Sequence, residues 1–277
     1  MNFNQGIINH PKFHGYQILT RSWVVDQPKA NIVIIHGLGE HSGRYAETAL
    51  HLNRAGYNVF AFDRKGEGQS DGKKAYIPNA KDQLQIIEEY IKHLNLSSLP
   101  SFLFGHSLGG LLAVKYILNH PNHNFKGLVL SGPLLKVSDE VSPVLQKLAP
   151  VVGTLLPWLP TVKVNPDFVS QLEEERAKYK EDPLVFHGAT SAATGKAIMS
   201  TIKDVQSNFE SIQIPVLIMH GGNDKLSDCK GSKLMYDSIR SEDKTIKIFD
   251  GMYHEIMREP CKEEFFSTMV NWVGRRI

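Results

Sequence analysis

Short apolar runs recur along this chain, each followed by a stretch whose apolar positions fall at helical spacing. Residues 31–36 (NIVIIH), 57–63 (YNVFAFD), 101–105 (SFLFG), 125–131 (FKGLVLS), 216–220 (VLIMH) and 245–249 (TIKIF) read as strands. The unbroken β-branched run at 31–36 is the pattern of a strand covered on both faces. Residues 16–25 read as an earlier strand or hairpin arm. Helices are predicted over about 44–55 (ended by Gly56), 78–94 with Leu84, Ile87 and Ile91 on one face, 108–120, 232–240 and 262–275. Strands alternating with helices need crossover connections, so the expected architecture is α/β, a mostly parallel central sheet with helices on both faces. The rhythm breaks after Gly132. Residues 133 to about 210 are proline-rich, with two helix-like segments and no clear buried strand. This predicts a core of residues 1–132 and 211–277 carrying an inserted helical cap at 133–210.

Composition narrows the class of molecule. The 277 residues hold 31 Lys+Arg against 29 Asp+Glu, a formal charge of +2, so there is no excess cation with which to neutralise a nucleic-acid backbone. A 42% hydrophobic share is enough for a large core and argues against disorder. Cys229 and Cys261 are the only cysteines, too few for a disulfide framework. The N-terminus lacks a basic start followed by an apolar run, and the longest apolar stretch, 148–159, is too short to span a bilayer and carries Pro150 and Pro157. The expectation is a cytoplasmic protein, with membrane contact limited to its surface.

Gly105-His106-Ser107-Leu108-Gly109-Gly110 stands where a strand ends and a helix begins. A G-x-S-x-G segment there makes a tight elbow that pushes the serine hydroxyl out at the carboxyl edge of the sheet, with a helix N-terminus behind it to favour negative charge. A serine hydroxyl is a poor nucleophile until a base takes its proton, so a histidine and a carboxylate are required, in α/β-hydrolases in the order Ser, Asp or Glu, His. The loop after the 216–220 strand offers Asp224 and Asp228; Asp224 lies just past the strand end, and Asp228 suits the cap of the next helix. The loop after 245–249 offers His254. His220 ends a strand and is expected to point elsewhere. Backbone donors for an oxyanion are expected at Leu108, which follows the nucleophile, and at Leu38 in His36-Gly37-Leu38-Gly39. Neither an HExxH cluster nor a GxxxxGK[ST] or GxGxxG pattern occurs, so no metal, nucleotide or other cofactor is implied.

These residues resemble the monoacylglycerol lipase branch of the serine α/β-hydrolases. The segment from His36 to Tyr45 (HGLGEHSGRY) is similar to that family's first signature, and the segment from Asp63 to Gly72 (DRKGEGQSDG) resembles its second, with Glu67 where a histidine is usual. GHSLGG, GGNDKLSD and KTIKIFDGMYHEIMRE resemble the rest, and the likeness runs from about residue 30 to the C-terminus, weakest in the cap. The resemblance implies an acyl-enzyme mechanism, an acyl tunnel under a mobile cap, and monoglycerides or lysophospholipids as substrates. It also implies that Glu40 and Arg44 border a glycerol pocket, although a plain ion pair at a helix start would explain them equally. It places Tyr179 at the same pocket, where ordinary packing is the alternative. Animal members carry a histidine three residues after the catalytic one. Met257 stands there and cannot donate a hydrogen bond, which implies an altered head-group pocket.

In the cap, Val144, Leu145, Leu148, Val151, Val152 and Leu155 fall on one face of an interrupted helix, with Trp158 beyond. That face either packs on the core as a roof or docks on a lipid surface. The reading is therefore a serine esterase of single-chain lipid esters. A lysophospholipase or a small-ester carboxylesterase would use the same chemistry, and a catalytically silent binder of a hydrophobic ligand is the alternative of another class. Oligomeric state is open.

Overall fold

The computed structural model describes residues 6–277, apart from the side chains of Ser97, Pro143 and Leu145. Eight strands form the main sheet: β1 (Ile7–Asn9), β2 (Thr20–Trp23), β3 (Ala30–Ile35), β4 (Tyr57–Phe62), β5 (Ser101–His106), β6 (Phe125–Ser131), β7 (Val216–Gly221) and β8 (Lys244–Phe249). Their order is β1-β2-β4-β3-β5-β6-β7-β8, antiparallel in the β1/β2 and β2/β4 pairs and parallel in every other pair. The helices are α1 (Ala46–Arg54), α2 (Lys81–Leu94), α3 (Leu108–Asn119), α4 (Pro143–Leu155), α5 (Glu173–Glu181), α6 (Ala192–Ser207), α7 (Cys229–Ser238) and α8 (Lys262–Gly274).

Strand alternation sorts the core into two layers. On β3, Val33 and Ile35 join Leu103, Leu111 and Leu128 on the side of α2, α3 and α7. Ile32 and Ile34 join Phe102, Phe104, Leu52, Phe265 and Met269 on the side of α1 and α8. Every residue of β3 is buried, as a doubly covered strand requires.

The segment between β6 and β7 is richer than the two helices expected there. It holds α4, α5 and α6 together with a short antiparallel pairing of Pro160–Lys163 with Ala189–Ser191. Helix α4 runs through Pro150 without interruption. Ile202 and Val205 of α6, with Phe209 beyond it, enter the main core, so α6 ties this segment to the sheet. Helix α7 begins at Cys229, earlier than its apolar spacing suggests, because Asp228 caps it by accepting from the Lys230 amide. The stretch expected at 16–25 is split into Tyr16–Gln17, an arm of a small hairpin with Lys12–Phe13, and β2; edge strand β1 and Lys12–Phe13 lie outside the expected elements. Among the described residues no helix is long and apolar enough to cross a membrane.

Candidate active site

Ser107 sits between β5 and α3 with φ 53 and ψ −123, a left-handed backbone that a non-glycine residue adopts only when its surroundings force it. The flanking glycines make the turn sterically possible. A Cβ at Gly105 would stand 2.6 Å from Gly110 Cα, and one at Gly109 would overlap the Ile35 carbonyl oxygen at the end of β3. The Ser107 carbonyl accepts from the Gly110, Leu111 and Leu134 amides, and the Ser107 amide donates to Ser131 O. The elbow is thus hydrogen-bonded to the end of β6 and the segment after it, and lies close against the end of β3.

Asp224 and His254 meet across the ends of β7 and β8. His254 Nδ1 lies 2.6 Å from Asp224 Oδ2, and both side chains are buried. Gly132, at φ +49, passes beneath them so closely that a Cβ there would lie 3.3 Å from His254 Nδ1. Oδ1 of Asp224 accepts from the Leu226 and Ser227 amides at 2.8 and 3.0 Å. Burial would push this carboxyl up, but the adjoining His254 and His220 outweigh it and hold Asp224 well below the usual carboxylate range. Burial likewise pulls the His254 imidazole down, and the Asp224 charge and hydrogen bond more than reverse that, leaving His254 above its ordinary value. Asp228 is the helix cap, away from this pair. His220 does not point elsewhere: its Nε2 reaches Asp224 Oδ2 at 3.1 Å. The β7 pleat faces it inward, and the turn after Gly221 brings Asp224 back over it.

The loop after β3 lies against the elbow, since a Cβ on Gly37 would be 3.1 Å from Ser107 Cβ. Around Leu38 the flanking amides are occupied: Gly37 N donates to Glu40 Oε1 at 2.6 Å and Gly39 N to Glu67 Oε1 at 3.0 Å. Buried Arg64 holds the carbonyls of His36 and Gly37. Burial pushes the Glu67 carboxyl up to about 7. Leu108 is the first residue of α3, where backbone amides have no acceptor within the helix. Asp63 braces the same region by accepting from the Ser42 and Gln69 amides.

Beside this centre is a buried charged cluster. Arg44 donates to Glu40 Oε2 at 2.8 Å and grips Glu255 with both terminal nitrogens at 2.7 and 2.9 Å. Arg258 adds a bond to Glu255 at 3.1 Å, Tyr45 OH donates to Glu40 at 2.8 Å, and the Arg44 guanidinium lies 4.8 Å from the centre of the Tyr179 ring. Burial alone would raise both carboxyls; Arg44 overrides it and holds Glu40 and Glu255 low. Glu255 escaped the sequence reading, although its place next to His254 was a signal that it would face the same space. Met257 is a correction. It is 1% exposed within the α1/α8 core layer and accepts from the Thr48 hydroxyl, because the short helical turn Ile256–Arg258 rotates it away from the cavity.

A cavity of about 470 Å³ joins these parts. Ser107, His254 and Leu38 lie on its wall, Glu40, Arg44, Tyr179 and Glu255 make one polar end, and the segment after β6 supplies an apolar lining that includes Val137, Val152, Ile198 and Met199. A hydroxyl, an aligned imidazole and a polar end beside an apolar chamber can perform acyl transfer on an amphipathic ester.

Comparison with known proteins identifies the chain's family and fold. The family model described as Hydrolase_4, serine aminopeptidase S33, matches residues 26–261. The chain is 33% identical over 265 residues to a monoacylglycerol lipase of Mycolicibacterium smegmatis, covering 94% of this chain and 93% of that protein. It is 33% identical over 270 residues to the human monoglyceride lipase, covering 95% and 88%. The crystal structure of a monoacylglycerol lipase from Paleococcus ferrophilus superposes with a TM-score of 0.85 at 33% identity, covering 94% of this chain and all of that one. The sheet and its helices have the α/β-hydrolase fold, and the chain belongs to the Hydrolase_4 family of serine hydrolases.

Proposed function

We propose that the chain is an esterase of single-chain lipids that cleaves monoacylglycerol to glycerol and fatty acid through an acyl-enzyme on Ser107. One observation carries the reading: a single cavity has Ser107 and His254 on its wall, an apolar chamber from the insertion, and a polar end of Glu40, Arg44, Tyr179 and Glu255. In this reading His254 Nε2 takes the Ser107 proton as Oγ attacks the ester carbonyl carbon. Asp224 holds Nδ1–H and stabilises the imidazolium, and the Leu38 and Leu108 amides receive the oxyanion. The intermediate collapses, the alcohol leaves with the His254 proton, and a water deprotonated by His254 releases the acid. Residues 133–210 serve as a cap on the core of 1–132 and 211–277. A silent binding protein would have no need of an Asp224–His254 pair already at 2.6 Å.

The polar end favours a neutral head group. Arg44 is already neutralised by two carboxylates, so a phosphate brought there would meet Glu40 and Glu255 as well. The same saturation argues against a peptide substrate, whose free ammonium would need an unpaired carboxylate near Ser107. Val144, Leu148, Val151, Leu155 and Trp158 are exposed on α4 and just beyond it, while Val152 faces the cavity; this supports peripheral contact of the cap with a lipid surface. Leu145, assigned to the same face, lies outside the described side chains.

The test is a hydrolysis panel of long-chain monoacylglycerol, long-chain lysophosphatidylcholine and a short p-nitrophenyl ester, run on wild type and Ser107→Ala. The reading expects the highest kcat/KM on monoacylglycerol and loss of all three activities in the variant. A preference of tenfold or more for lysophosphatidylcholine, or for the short ester, would overturn it.

A further inference from the structure

His220, next to last in β7, has no exposed surface, and it is the second imidazole on Asp224. Its Nε2 lies 3.1 Å from Asp224 Oδ2, the oxygen that also receives His254 Nδ1, and 3.2 Å from the Ser227 carbonyl oxygen. Both oxygens only accept, so a lone pair on Nε2 would be repelled by both; this favours the tautomer with the proton on Nε2. The other ring nitrogen, Nδ1, lies 2.7 Å from the buried Ser232 hydroxyl on α7, which then donates to it. Ser227 Oγ lies 3.2 Å from His220 Nε2, and its single proton has Gly132 O at 3.0 Å and Asp224 Oδ2 at 3.1 Å as acceptors, so with Nε2 protonated Oγ can receive from the ring. A directed chain therefore runs from Ser232 Oγ–H to His220 Nδ1, and from His220 Nε2–H to Asp224.

We propose that His220 is a positioning residue for the reaction: with its tautomer set by Ser232, it donates to Asp224 Oδ2 and so fixes how that carboxylate faces and attracts His254. The inference rests on the Ser107–His254–Asp224 reading above. Two donors on one oxygen divide its negative charge. Without His220, more of that charge falls on the bond to His254, whose imidazolium is then held more tightly. The other groups acting on His254, namely the His106 ring at 4.8 Å and the carboxylates Glu255 and Glu40, are unchanged. The base accordingly keeps its proton to higher pH.

The experiment compares pH profiles of kcat and kcat/KM on a monoacylglycerol for wild type, His220→Ala, His220→Gln and Ser232→Ala. For His220→Ala we expect kcat roughly tenfold lower near neutral pH, as for loss of one hydrogen bond to a charged group. KM should change by less than about twofold, and the acid limb should move up by about half a pH unit or more. His220→Gln keeps an N–H within reach of Oδ2, so most activity should return with the limb near its wild-type position. Ser232→Ala, which frees the tautomer while sparing the ring, should shift the limb upward by a smaller amount, and it tests the chain even if His220→Ala does not fold. An acid limb that stays put or moves down in Ser232→Ala and His220→Ala, or a glutamine variant as impaired as the alanine one, overturns the proposal. The nucleophile reading is judged separately: Ser107→Ala must be inactive whatever the His220 variants do.

Discussion

Replacing Arg44 with methionine removes a cation that ion-pairs with two buried carboxylates, while keeping most of the side-chain volume. Arg44 is 7% exposed, and Glu40 and Glu255 are 3% exposed. Removing one partner of a buried ion pair costs about 3–5 kcal/mol, because the remaining charge stays dry and uncompensated. Here Glu255 keeps Arg258, and Glu40 keeps Tyr45 OH and the Gly37 amide, so the lower end, about 3 kcal/mol, is expected. For a chain of this size that corresponds to a fall in Tm of roughly 6–12 °C. The pH dependence has a definite sign. In wild type the two carboxyls are held below their ordinary values, so their contribution is present above the ordinary carboxylate range and is lost as pH falls. In Arg44→Met both carboxyls lose the main cause of that lowering, so they regain protons at a higher pH than in wild type. The deficit against wild type should be largest near neutral pH and shrink as pH falls below the ordinary carboxylate value of 4.5, measured by urea denaturation at about pH 7 and about pH 3.5. A deficit below about 1 kcal/mol, or one that is equal at the two pH values, would refute the account of this cluster as an electrostatic unit.

Three further outcomes are expected. The acid limb of kcat/KM should have its midpoint above the ordinary imidazole value near 6.5, because the neutral base is needed and Asp224 holds the proton on His254; a midpoint clearly below 6 in a pH–rate profile would contradict this. Gly109→Ala should lose several kcal/mol of stability or fail to fold, since its Cβ would overlap the Ile35 carbonyl; a denaturation midpoint equal to wild type would show that the elbow is looser than described. Met257→His should cost about 1–3 kcal/mol by placing an imidazole in the α1/α8 core layer, with no change in head-group preference; a shift of that preference in the hydrolysis panel would return this position to the pocket.

The parts of the site that could be read from the chain are those whose chemistry is tied to local geometry. Gly105 and Gly109 are dictated by close backbone approach around Ser107, and Asp224 and His254 follow strands recognisable by their apolar runs. What stayed hidden depends on how the chain turns after a strand or on long-range pairing. The facing of His220 is set by the turn that returns Asp224 over it. Glu255 acquires its place only through Arg44, far away in sequence. The resemblance to monoacylglycerol lipases implied a pocket position for Met257, but the short helical turn at 256–258 carries it into the core layer instead. Strand β1 carries no legible burial pattern because all its residues are exposed at the sheet edge, with Ile7 at 57%. In the insertion, α5 is mostly charged and buries only Tyr179, so apolar spacing gave no sign of it.

The central claim is that the Ser107 hydroxyl forms the acyl-enzyme. Its most direct test is intact-protein and peptide mass spectrometry after a fluorophosphonate, beside steady-state hydrolysis of a long-chain monoacylglycerol. The account predicts one adduct on the peptide containing Ser107 in wild type. In Ser107→Ala it predicts no adduct and turnover lower by about 10³-fold or more, with cooperative unfolding retained. Labelling of another residue, or a Ser107→Ala variant that hydrolyses the substrate within tenfold of wild type, would contradict it.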